Sequence, residues 1–189
     1  MKALIVYATR YGATKGTAEK IAQTLGEENL DVKVVNAKEE KVNDVSEYGL
    51  VIVGSGMALG NWVSEAEDFL KKFHQDLENK KLALFISSLI PVEEKEGKAA
   101  RVARTKKIGL DDKILKYHLK PMMTGCFGGV LDYNKMSFLT RKAMEVGYKS
   151  QIQKHGFKEV ESNVYDLRNW DEIHDWAKEL SKKASNRGI

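Results

Sequence analysis

Residues 4–22 read "LIVYATRYGATKGTAEKIA", and this stretch decides the fold. Its opening is an apolar, β-prone run. Further on, Ala18, Ile21, Ala22 and Leu25 recur at i, i+3, i+4 and i+7, the spacing of a helix with one buried face. Between strand and helix lies "TRYGAT", a turn of hydroxyls around a single glycine. Such a turn aims backbone N–H groups and the positive helix end at one spot, where an anion is stabilised.

The same alternation continues outward. Apolar runs occur at Ala3–Tyr7, Val32–Val35, Leu50–Val53, Leu82–Ile86 and Met122–Val130. Val63, Ala66, Phe69, Leu70 and Phe73 mark a second helix; Ile173, Trp176, Ala177 and Leu180 mark the last, with Asn169 and Glu172 spaced as a capping pair. Strands without clean alternation, separated by helices, predict an α/β doubly wound domain with a parallel sheet covered on both faces. Two long segments, Pro91–Pro121 and the one after the fifth run, leave the carboxyl ends of strands, where ligands bind in such sheets.

A chain of 189 residues with 42% hydrophobic and 31% charged residues is ordinary for a soluble domain. No run nears the roughly eighteen apolar residues that span a bilayer. The N-terminal run reads as a core strand rather than a leader. Cys126 stands alone, so no internal disulfide forms, which fits a reducing cytosol. Net charge is +4 but uneven: residues 95–120 hold 9 Lys/Arg against 3 Asp/Glu, while residues 1–94 hold 11 against 15. The basic segment reads either as a solvated helix face or as a docking patch for an acidic partner, an anionic substrate or lipid. No nucleic-acid motif accompanies it.

Three anion patterns compete for the turn. A P-loop needs GxxxxGK[ST], whereas "GATKGT" has Lys15 before Gly16. A dinucleotide fingerprint needs GxGxxG, but the turn holds only Gly12, and "GSGMALG" after the third run has its last glycine one position late. What remains is a hydroxyl cradle from Thr9 and Thr14 with close backbone approach at Gly12 and Ala13, suited to a terminal monophosphate. His74, His118, His155 and His174 are scattered, so no metal site is expected. Ser87–Ser88 lacks the GxSxG elbow of a hydrolase.

"VYATRYGATKGTA" resembles the flavodoxin signature, with Lys20 where that pattern has an aliphatic and Ile21 one residue late. "GCFGGVLDYNKMSFLTRKAM" and "YDLRNWDEIHDWAKEL" resemble the branch of that family containing menaquinone-dependent protoporphyrinogen dehydrogenase. The resemblance implies a five-stranded flavodoxin-like domain over residues 1–189, with an extra segment at about 131–156 after strand five. It implies one noncovalent FMN, with the chemistry on the flavin and no catalytic side chain.

Thr9, Arg10, Tyr11, Gly12, Ala13 and Thr14 would hold the phosphate, with Arg10 on the phosphate or in solvent. Ser55, Met57, Ala58, Leu59, Gly60, Asn61 and Trp62 would flank the ring, Trp62 by stacking. Ser87, Ser88, Leu89 and Ile90 would edge its pyrimidine side, with Gly129 beside them. Tyr133 would cover the outer flavin face or serve as an ordinary loop aromatic. The basic segment is expected near the ring edge.

The implied role is electron transfer with a redox partner protein such as an acidic ferredoxin. Alternatives are a quinone-reducing enzyme acting on a tetrapyrrole in haem biosynthesis, or a flavin-free interaction module. The expected location is cytoplasmic, with peripheral contact at the inner face of the membrane.

Overall fold

In the computed structural model, which describes residues 1–58 and 60–186, the apolar runs become strands because both of their faces are covered. The first half of the chain forms β1 (Lys2–Ala8), α1 (Ala13–Glu27), β2 (Asp31–Asn36), β3 (Leu50–Ala58), β4 (Asn61–Trp62), α2 (Ser64–Leu77) and β5 (Lys81–Ser88). Then follow α3 (Ile90–Lys95), α4 (Ala99–Lys106), a π turn (Lys107–Asp111), α5 (Asp112–Lys116) and β6 (Met123–Gly128). The chain continues through β7 (Val130–Asp132), α6 (Phe138–Met144), a second π turn (Glu145–Lys149), α7 (Ser150–Lys154), β8 (Glu159–Glu161), β9 (Val164–Asp166) and α8 (Trp170–Ser185).

The sheet order is β2-β1-β3-β5-β6, all parallel, with β4 folded back antiparallel on β3. Alternate residues serve opposite cores. Ala3, Ile5 and Tyr7 pack with Ile21 and Leu25 of α1 and Ile173 and Leu180 of α8. Leu4, Val6 and Ala8 pack with Phe69, Leu70 and Phe73 of α2. Each fully buried aliphatic contributes about 1.5–3 kcal/mol, so truncating Leu4 to Ala would cost about 2–5 kcal/mol. Ile21 is fully buried although it arrives one residue late, because the helix turns it onto the same face.

The ends of the helices explain their positions. Gly12, at φ 96°, precedes α1 in the left-handed region that a side chain would strain. Asn169 caps α8, its side chain accepting from the N–H groups of Asp171 (3.2 Å) and Glu172 (3.3 Å).

The segment after β6 is more than an excursion. β7, β9 and β8 make a separate antiparallel sheet in that order. It has its own core of Val92, Leu131, Tyr133, Ile152, Tyr165 and Leu167. This core fixes the segment against the carboxyl edge of the main sheet. Strand order reverses beside β1, so the crevice outside β1 and β3 is the expected ligand position.

Candidate functional site

A cavity of about 190 Å³ opens at that crevice. Thr9, Arg10, Tyr11, Ala13 and Thr14 line it from the β1–α1 turn; Gly56 and Met57 from β3; Ser87, Ser88 and Leu89 from the end of β5. Gly129, Val130 and Leu131 follow β6, and Met136, Thr140 and Met144 close the outer wall.

The turn is preformed. The Gly12 N–H donates to the Thr9 hydroxyl at 2.9 Å, leaving that hydroxyl's own proton to donate elsewhere. Thr14 is fully buried, yet its Oγ1 has no hydrogen-bond partner among the described residues, and the same holds for Ser87 Oγ at 4% exposure. Buried hydroxyls are normally paired, and an unpaired one costs about 1–3 kcal/mol. Both orphans belong to residues of the same cavity wall. A side chain at Gly56 would put its Cβ 3.2 Å from Thr14 Oγ1, so bare backbone keeps the cradle open.

Among the described residues, Arg10 is the one charged residue lining the cavity, and it is exposed and makes no ion pair. The first turn of α1 holds no acidic residue to oppose an anion. The remaining wall is largely apolar. Hydroxyl donors, a helix N-terminus and one arginine beside Met57, Leu89, Val130 and Leu131 suit a ligand that joins an anion to a flat apolar ring.

The β5 and β6 ends are locked together. Gly129 N–H donates to Ser88 O at 2.8 Å, Leu167 N–H to Gly129 O at 2.9 Å, and Ile90 N–H to Ser88 Oγ at 3.2 Å.

Several expected contacts lie elsewhere. Trp62 does not reach the cavity: it is 5% exposed in the α2-side core, and its indole N–H donates to the Gly109 carbonyl at 2.6 Å. Ser55 braces the β3–α2 connection, accepting from Val63 N–H at 2.9 Å and donating to Gly56 O at 3.1 Å. Ile90 packs in the same core as Trp62. Tyr133 is fully buried in the third core, set edge-on against Tyr165, and its hydroxyl faces the Met144 carbonyl at 3.5 Å. Burial pushes its phenol up to about 12. Tyr133 therefore supports the outer wall from behind.

Gly60 and Asn61 are exposed, and neither they nor Gly12 line the cavity. Leu59 lies outside the described residues, and Ala58 is described only by its backbone at the end of β3.

Gly56, Val130, Leu131, Met136, Thr140 and Met144 were not anticipated. Met136, Thr140 and Met144 do recur every four residues, a helical-face spacing visible in the sequence.

The basic segment also departs from expectation. Arg101, Arg104, Lys106 and Lys107 do not line this cavity. Lys106 pairs with Glu94 at 3.7 Å, Lys107 with Asp112, and Lys113 (2.7 Å) and Lys116 (2.9 Å) converge on Glu67. Burial alone would raise the Glu67 carboxyl, but hydrogen bonds from Lys113, Lys116 and Tyr117 bring it down to about 2. A wider groove of about 720 Å³ runs beside β6, lined by Lys106, Cys126, Arg168, Glu172 and Trp176 among others. Burial pushes the Cys126 thiol there up to about 11.

The flavodoxin domain family matches residues 4–157. Over 182 residues, 96% of this chain and 95% of the relative, the sequence is 22% identical to protoporphyrinogen IX dehydrogenase (quinone) of Escherichia coli K12. A short-chain flavodoxin associated with a PDU bacterial microcompartment has the same fold, with TM-score 0.58, 17% identity, and 98% of this chain and 99% of that one covered. The flavodoxin of Streptococcus pneumoniae TIGR4 gives TM-score 0.57 at 16% identity, covering 97% and 99%. A Fusobacterium nucleatum flavodoxin variant, bound to flavin mononucleotide in its own structure, gives 0.51 at 19% identity, covering 96% of each chain. With the family model matching residues 4–157, most of the chain, the chain belongs to the flavodoxin domain family.

Proposed function

We propose that the cavity binds one FMN noncovalently and that the protein carries electrons between redox partner proteins. Family membership makes it a flavin-dependent redox protein. FMN in particular is favoured by the orphaned Thr14 hydroxyl, buried at the N-terminus of α1 in a cavity lined also by the cation Arg10. A phosphate there gains hydroxyl donors, the helix end and a counter-charge together.

When bound, FMN supplies the electron chemistry. The chain's own residues bind and shield it. Thr9 and Thr14 hold the phosphate, Arg10 balances its charge, and Ser87 offers a donor to the polar ring edge. Met57, Leu89, Val130 and Leu131 exclude water, while Met136 and Met144 cover the site from the extra segment.

The 22% identity across 96% of the chain to a quinone-linked protoporphyrinogen dehydrogenase favours one second reading, oxidation of a tetrapyrrole with reduction of a quinone. A turnover assay with protoporphyrinogen and a quinone, run beside reduction by an acidic ferredoxin, separates the two. Electron exchange with ferredoxin and no porphyrin product supports the carrier. A protein that takes up no flavin would leave only an interaction module. No helix of the described residues is long and apolar enough to cross a membrane. A cytoplasmic location with peripheral contact at the inner face of the membrane completes the proposal.

A further inference from the structure

The helical run from Phe138 to Lys154 has two unlike faces. Inward, Thr140 and Met144 line the cavity, and Ile152 is fully buried. Outward, Phe138 is 70% exposed, Leu139 79% and Val146 87%. At 100° per residue, Phe138, Leu139, Lys142 and Val146 share an arc of about 100°, opposite the cavity-facing side chains. Single exposed apolar side chains are ordinary; three large ones on one short helical face mark a contact surface.

Its charge says what the contact is. Residues 133–156 carry five Lys/Arg against one acidic residue. Arg141 pairs with Glu145 at 3.0 Å, Lys135 with Asp132 at 2.8 Å and Lys154 with Glu96 at 3.1 Å, so Lys142 and Lys149 are the cations left without an ion pair among the described residues. Lys142 lies 4.8 Å over the Phe138 ring, and Lys149 lies 6.0 Å over that of Tyr133. The basic 95–120 segment adjoins this region: Lys95 donates to His155 O at 3.1 Å and Lys98 to Gln151 Oε1 at 2.8 Å. A second copy of so basic a face would be repelled. Bulky apolar side chains with a lysine rim match an anionic lipid surface, where the apolar groups enter the acyl boundary and the ammonium groups meet headgroups.

We propose that the outward face of α6 and the π turn that continues it, Phe138, Leu139 and Val146 rimmed by Lys142 and Lys149, inserts shallowly into an anionic lipid surface. It rests on the peripheral-contact part of the proposed function and names the element responsible. The helix that walls the cavity would then be the one that meets lipid, within reach of a lipid-soluble electron acceptor.

The test is cosedimentation of the holoprotein with phosphatidylcholine vesicles, with and without about one-third phosphatidylglycerol. Wild type should bind the anionic vesicles, and less so at high salt. The double variant Phe138→Ser/Leu139→Gln should bind at least about tenfold more weakly, as should Val146→Gln to a smaller degree. Lys142→Gln/Lys149→Gln should lose about tenfold or more and most of the salt dependence. An unchanged visible flavin spectrum in each variant shows that the fold and cavity are intact. Wild type that binds while the apolar variants bind equally well overturns the assignment to this helical face alone. Wild type that binds no vesicle overturns peripheral contact as well, yet leaves electron transfer standing if the protein still holds flavin. Binding to an acidic protein and to no vesicle would also overturn the proposal and make the face a protein-docking site.

Discussion

Replacing Thr14 with Val should move two quantities in opposite directions. The change keeps the branched shape and removes only the hydroxyl, which is fully buried and unpaired without ligand. An unpaired buried hydroxyl costs about 1–3 kcal/mol, so apoprotein carrying Thr14→Val should gain about 1 kcal/mol or more of stability. With FMN the same hydroxyl becomes a donor to a charged oxygen, a bond that contributes about 1.5–3 kcal/mol. Affinity for FMN should therefore fall about tenfold to a hundredfold. Riboflavin has no phosphate, so its affinity should hardly change and the preference for FMN should shrink by the same factor. Urea denaturation of the apoprotein reads the first effect; titration of apoprotein with FMN and with riboflavin, followed by flavin fluorescence, reads the second. Unchanged FMN affinity, or an equal loss for both flavins, would refute the phosphate assignment.

Ser87→Ala should weaken FMN and riboflavin alike, by about three- to tenfold, because the proposed site gives its orphaned hydroxyl to the ring edge rather than to the phosphate; the same titrations read it. Trp62→Phe should cost about 2–3 kcal/mol in urea denaturation by stranding the Gly109 carbonyl, while FMN affinity stays within about threefold. Glu67 is held at about 2 in the folded state, so its stabilisation is present above the usual carboxylate value and is lost as pH falls from about 4.5 toward 2. Solvent screens half-exposed Lys116 but not Lys113, so the net contribution is about 1 kcal/mol, and Glu67→Gln should remove that part of the acid dependence when urea midpoints are compared at about pH 3 and 5.5. Cys126, pushed up to about 11, should be ionised in about one molecule per thousand at pH 8 and react with a thiol reagent far more slowly than free cysteine.

What was legible in the sequence is what depends on neighbours in the chain. The five apolar runs name the five parallel strands because burial on both faces erases alternation. The "TRYGAT" turn names the cavity floor because hydroxyls, Gly12 and helix start are contiguous.

Trp62 misled because its sequence setting, after a glycine-containing loop, resembles a stacking position. Its indole is instead drawn inward by a carbonyl 47 residues away. The basic segment misled likewise: Lys113 and Lys116 meet Glu67, 46 and 49 residues distant. The small sheet was invisible for another reason. β7, β8 and β9 have three residues each, too few for any periodicity, and all three residues of β8 face solvent at least in part. Only after that sheet positions α6 does the spacing of Met136, Thr140 and Met144 acquire meaning.

The most direct measurement is the identity and amount of flavin taken up by the purified apoprotein, by visible absorption and by chromatography of the ligand released on denaturation. From an equimolar mixture of FMN, riboflavin and FAD, each chain should take up one FMN. A protein that stays colourless, or takes up riboflavin as readily as FMN, would contradict it.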